Sequence, residues 1–146
     1  MKKYLAIIAA MSFFLNFTWE NLQAPLYQGY GGFWNHVSIC SLASLGDAVA
    51  IVIGYLLVRL VTKRIAWFKY FRLSEQVLFL LFTLSLAYVV EWVALSQKLW
   101  AYTPSMPLVL NTHIGLLPFI QLAVTGALSL YIAHWATSDS LTPYHT

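Results

Sequence analysis

Glu20, Asp47 and Glu91 are the residues of this 146-residue chain best suited to chemistry, because each carboxyl group falls within or beside a long apolar run. An ionised carboxylate at the centre of a membrane helix costs about 2.5–3.5 kcal/mol on insertion scales, so such groups mark function by default. Protonated, a Glu or Asp can donate a proton to an alkene or polarise a headgroup, and aromatic faces nearby can steady a developing cation. The other two acids have plainer accounts. Glu75 lies among basic residues, and Asp139 lies in a polar tail.

Spacing predicts which groups meet. Asn16, Glu20 and Gln23 follow i, i+4, i+7 and share one helix face. Ala43, Asp47, Ala50 and Gly54 form a small-residue stripe that permits close helix approach and turns Asp47 into the bundle. Glu91 shares its stripe with Leu84, Ala87 and Tyr88, and Gln121, Thr125 and Ser129 make a mild polar stripe. The expected acid is Asp47 or Glu91, with Glu20 as its partner. Asn16, Gln23, His113, Gln121, Tyr88, Trp100 and Tyr102 are the expected substrate contacts. The plainer alternatives put Glu20 and Glu91 in headgroup water, and bond Asp47 to Ser44 or to the first helix.

Composition decides which elements position these groups. The chain is 60% hydrophobic and only 9% charged, against roughly 25% charged in soluble domains. That excludes a compact soluble domain. The lone Cys40 excludes an intrachain disulfide scaffold, and 16% aromatic content excludes disorder. What fits is an all-α integral membrane protein, one domain over 1–146. Spans of about 20 apolar residues fall at about 4–21, 42–61, 76–95 and 114–135 and predict a four-helix transmembrane bundle. Met1-Lys2-Lys3 before an apolar run also resembles a signal peptide. The run continues through Phe17, however, and Pro25 follows Ala24, so it reads as the first span.

Seven of the eight basic residues (Lys2, Lys3, Arg59, Lys63, Arg64, Lys69 and Arg72) fall on one side of a four-span arrangement, and only Lys98 falls on the other. The positive-inside rule then makes both termini cytoplasmic and puts the three carboxyls within roughly 10 Å of the external boundary. Trp67, Phe68, Tyr70 and Phe71, interleaved with the basic residues, read as interfacial aromatics, and the charge is too sparse for nucleic acid. The first external loop, 24–36, carries Tyr27, Tyr30, Phe33 and Trp34. It reads as an aromatic belt or as a lid over an apolar ligand. Pro118 fits a fourth helix that starts near Gly115. No cofactor is implied. His36 and His113 could join the carboxyls on a metal, but no motif spacing supports it, and Cys40 has no evident activating base.

Two stretches carry resemblances. Asn16-Phe17-Thr18-Trp19-Glu20-Asn21-Leu22-Gln23-Ala24-Pro25-Leu26-Tyr27, then Gly46-Asp47, resembles a family of small bacterial four-helix membrane proteins, which implies a bacterial inner membrane and no activity. Trp100-Ala101-Tyr102 followed by Gly115-Leu116-Leu117-Pro118-Phe119-Ile120-Gln121 is similar to the lycopene cyclase domain, over the last third only. Ile120 and Gln121 stand where that family has paired glutamates, so the resemblance implies at most an isoprenoid-type ligand. Three functions compete. The first is a lipid or isoprenoid binder or enzyme with a carboxylate-lined external pocket. The second is a non-catalytic subunit or scaffold in a homo- or hetero-oligomer. The third is a proton-coupled transporter.

Overall fold

The computed structural model describes residues 2–64, 67 and 72–138. Its helices are α1 (Lys2–Gln23), α2 (Phe33–Thr62), α3 (Leu73–Ser96) and α4 (Leu116–Ser138), with a 3-10 turn at Ala24–Leu26. All four helices are long and apolar enough to cross a membrane. α1 packs on α2 and α4, and α3 packs on α4 and α2, giving a four-cornered up-and-down bundle. Lys2, Lys3, Arg59, Lys63, Arg64 and Arg72 therefore gather at one end, here the basic end. Glu20 and Glu91 lie toward the other, the carboxylate end. Lys69, Phe68, Tyr70, Phe71 and Asp139 lie outside the described residues.

α2 departs most from expectation. It begins at Phe33, not near Leu42, so Phe33-Trp34-Asn35-His36 are helix and not loop. Its 30 residues reach about 45 Å at 1.5 Å per residue, against a hydrocarbon core of about 30 Å. Hydropathy marks only the part that matches lipid. The polar first turns hold as helix because their side chains bond back to the backbone. Asn35 Nδ2 donates to the Gly31 carbonyl at 2.9 Å, and Ser41 Oγ to the Val37 carbonyl at 2.6 Å. Gly32, at φ 99°, makes the left-handed turn that starts the helix.

The interior is apolar toward the basic end and polar toward the other. Ile8, Ile51, Tyr55, Val58 and Phe79 form the apolar part, while leucines and valines such as Leu42, Leu60, Leu81 and Val89 cover the outside. Trp67 belongs to this core. It is buried, stacks on Tyr55 at 5.8 Å and donates its indole N–H to the Tyr55 carbonyl at 3.3 Å. The interfacial role expected for it is thus corrected: an aromatic in a short connection can fold back to seal the bundle end. Two glycines admit the side chain of a neighbouring helix in this half. A Cβ on Gly54 would come within 2.8 Å of Phe82, and one on Gly126 within 2.8 Å of Phe79. Toward the carboxylate end Ala43, Gly46, Asp47 and Ala50 line a cavity around which α2 and α3 part.

Two connections are stitched together at that end. Tyr27 and Tyr102 form an antiparallel bridge, with Gln28 N–H on the Ala101 carbonyl and Thr103 N–H on the Leu26 carbonyl, both at 2.8 Å. α3 ends with Lys98 at φ 57°. Lys98 N–H then bonds Leu95 at 3.1 Å and Leu99 N–H bonds Ala94 at 2.9 Å, a Schellman closure. Pro118 lies in the first turn of α4, as its missing N–H favours. The Ile114 carbonyl, one turn before Pro118, accepts instead from Val109 N–H at 2.8 Å.

Candidate functional site

Gln121 is the hub of a polar cluster between α1, α2 and α4. Its Nε2 lies 2.7 Å from Glu20 Oε1, 2.9 Å from Asp47 Oδ2 and 3.0 Å from Asn16 Oδ1. A side-chain amide has two N–H donors, so three acceptors share two protons. Gln121 Oε1 accepts from Gln23 Nε2 at 2.8 Å, which holds the amide nitrogen toward the acids. Gln23 in turn is fixed by Trp19, whose Nε1 donates to Gln23 Oε1 at 3.1 Å. Asn16 is oriented from both sides, donating to the Ser12 carbonyl at 2.8 Å and accepting from Thr125 Oγ1 at 3.0 Å. The i, i+4, i+7 face of α1 thus meets the polar stripe of α4. Ser44 does not bond Asp47; its hydroxyl donates to the Cys40 carbonyl at 2.6 Å.

Glu91 sits apart from this hub. Its Oε2 accepts from Trp100 Nε1 at 3.3 Å and from the Tyr102 hydroxyl. The Tyr102 oxygen accepts in turn from Gly115 N–H at 3.1 Å. Only glycine permits this approach, because a Cβ on residue 115 would lie 2.9 Å from Pro118 and 3.0 Å from the Tyr102 ring. Burial, and then the bond to Glu91, raise the Tyr102 phenol above its ordinary range. Burial raises Tyr27 as well, with the charge of Glu91 next in weight. Both phenols therefore stay protonated donors at neutral pH.

The two groups face one cavity of about 810 Å³, within the size range of small-molecule sites. Glu20, Asp47 and Gln121 line its back, Glu91 and Trp100 one side, and Tyr27 and His36 the carboxylate end. Ile39, Val49, Ile53 and Val90 line it while being exposed, so the cavity opens sideways between α2 and α3 through an apolar rim. No family model, curated protein or solved structure matches the chain.

Two expected contacts are not at this site. Tyr88 is 42% exposed and off the lining. The cavity side of α3 is set by Leu86, Ala87, Val90 and Glu91, and at 100° per residue Tyr88 falls on the far side of Glu91. His113 is exposed at the tip of the turn between Leu108 and Gly115, where Asn111 at φ 60° reverses the chain away from the cavity. Asn16 and Gln23 are buried behind the acids. Tyr102 reaches the site through Glu91. Tyr27, expected in an aromatic belt or in a lid over an apolar ligand, lines the cavity. Its pairing with Tyr102 joins positions 75 apart in the chain and leaves no periodic signal. Among the described residues, no three His, Cys, Asp or Glu side chains come together as metal ligands. Glu75 is explained as expected, by an ion pair with Arg64 at 3.1 Å.

Proposed function

We propose that this chain is a multi-pass protein of a bacterial inner membrane that holds an apolar lipid or isoprenoid in the cavity between α2 and α3. The observation that carries this reading is the sideways opening: an apolar rim at bundle level, with carboxyl groups behind it. A hydrocarbon chain could leave through the rim while its polar end meets Glu20, Asp47 or Glu91. The asymmetry of basic residues turns the carboxylate end outward and both termini inward. Asp47 and Glu91 are the groups best placed to give or take a proton. Asn16, Gln23 and Gln121 hold the acids, while Trp100 and Tyr102 orient Glu91.

A second reading has one observation in its favour. Ala43 and Gly46 are exposed on the cavity wall, so a partner helix could lie against them. Transport has less support, because Ile51, Tyr55, Phe79 and Trp67 pack together in the basic half.

Native extraction in nanodiscs, followed by mass spectrometry, tests the proposal. A lipid should be retained by the wild type and lost when Ala50→Trp fills the cavity. Recovery of a stoichiometric protein partner with no lipid would replace the first reading with the second. A C-terminal reporter found outside the cell would overturn the orientation.

A further inference from the structure

Glu20, Asp47 and Glu91 bring three carboxyl groups to the cavity wall, and among the described residues no lysine or arginine lines it. Lys98, the basic residue at this end, is exposed and off the lining. One oxygen of each acid is already bonded: Glu20 Oε1 and Asp47 Oδ2 to Gln121, and Glu91 Oε2 to Tyr102 and Trp100. The second oxygens, Glu20 Oε2, Asp47 Oδ1 and Glu91 Oε1, receive no donor from the described residues. They are not among the enclosed unpartnered atoms either, so they are open to the cavity. Beside them, Tyr27 and Trp100 line the same space with their rings edge-on at 6.3 Å.

We propose that the occupant is a single-chain amphiphile with a primary ammonium head, held by Glu20 and Asp47, with Glu91, Tyr27 and Trp100 lining the same cavity. The inference rests on the lipid reading above and narrows it. An ammonium offers three N–H donors, enough to serve both open oxygens of the pair that Gln121 brings together, Glu20 Oε2 and Asp47 Oδ1. It also supplies the positive charge that the described lining lacks, and it is attracted by aromatic faces. An alcohol offers one donor and no charge. A phosphate head adds like charge to a wall with no cation to receive it. The hydrocarbon chain follows the apolar rim of Ile39, Val49, Ile53 and Val90 out between α2 and α3.

The test uses the full chain in phosphatidylcholine nanodiscs, titrated separately with hexadecylamine, hexadecanol and hexadecyl phosphate. Bound probe is read by native mass spectrometry. The amine should bind at least about tenfold more tightly than the alcohol (about 1.4 kcal/mol), and the phosphate should not bind. Asp47→Asn with Glu20→Gln should collapse the amine-to-alcohol ratio toward one. Equal or tighter binding of alcohol or phosphate by the wild type would overturn the headgroup assignment and leave the lipid reading standing. Binding of none of the three would overturn both.

Discussion

Gln121 donates to Asp47 across 2.9 Å and so ties α4 to α2 at the back of the cavity. The same nitrogen reaches Glu20 at 2.7 Å, so one neutral amide holds two acids from two other helices. Gln121→Leu keeps the volume but removes every one of these donors. A buried acceptor left unpaired costs about 1–3 kcal/mol. The variant should therefore unfold more readily by about that amount in a denaturant titration. An unchanged midpoint would show that water replaces the amide.

Tyr102 and Gly115 act through one contact. Tyr102→Phe keeps the ring but deletes both the donor to Glu91 and the acceptor for Gly115 N–H. A loss of about 1–2 kcal/mol is expected. Gly115→Ala should displace the same ring by crowding it. The two changes should combine to less than their sum, a coupling that a double-mutant cycle reads directly.

The alkaline limb of stability should follow the two phenols. Tyr27 and Tyr102 are raised above the ordinary phenol value of 10.0, chiefly by burial. The folded state therefore keeps protons that the unfolded chain releases above about pH 10. Their contribution is complete below that pH and falls as pH rises beyond it. Thermal unfolding from pH 8 to 11 should show this decline, and Tyr27→Phe with Tyr102→Phe should flatten it.

Packing at the basic half should be separable from the cavity. Gly126→Val forces side-chain atoms into Phe79, whose ring already lies 2.8 Å from the nearest allowed Cβ. Overpacking of this kind costs about 1–3 kcal/mol. Lipid retention should persist in the folded fraction, because Gly126 and Phe79 do not line the cavity. Concurrent loss of lipid would mean that the α2–α3 opening depends on this lower contact.

Much of the arrangement is legible from residue types and spacing. The face carrying Asn16, Glu20 and Gln23 meets Gln121 because helical periodicity and the avoidance of lipid by polar groups point the same way. Periodicity fails for Tyr88, where i−3 and i−4 from Glu91 are equally good neighbours and only packing decides which one faces inward. It fails for Trp67 because hydropathy treats a loop aromatic as interfacial, whereas a vacancy beside Tyr55 and Phe79 gave it a core position. The start of α2 was hidden because hydropathy tracks lipid contact, and hydrogen bonding continues past the apolar limit.

Four helices long and apolar enough to cross a membrane, and the place of Glu20 and Glu91 toward one end of them, follow from the sequence alone, because transfer from water to lipid is summed over windows of about 20 residues. Where the helices part is a tertiary matter. Gly54 and Gly126 admit Phe82 and Phe79 at the basic half, while Ala43, Gly46 and Ala50 meet no equal bulk above them and leave a cavity. That Glu20 and Asp47 share the Gln121 donor is likewise fixed by contacts between residues 101 and 74 positions apart. Those contacts depend on how side-chain volumes fit across helices, a property that no local window contains.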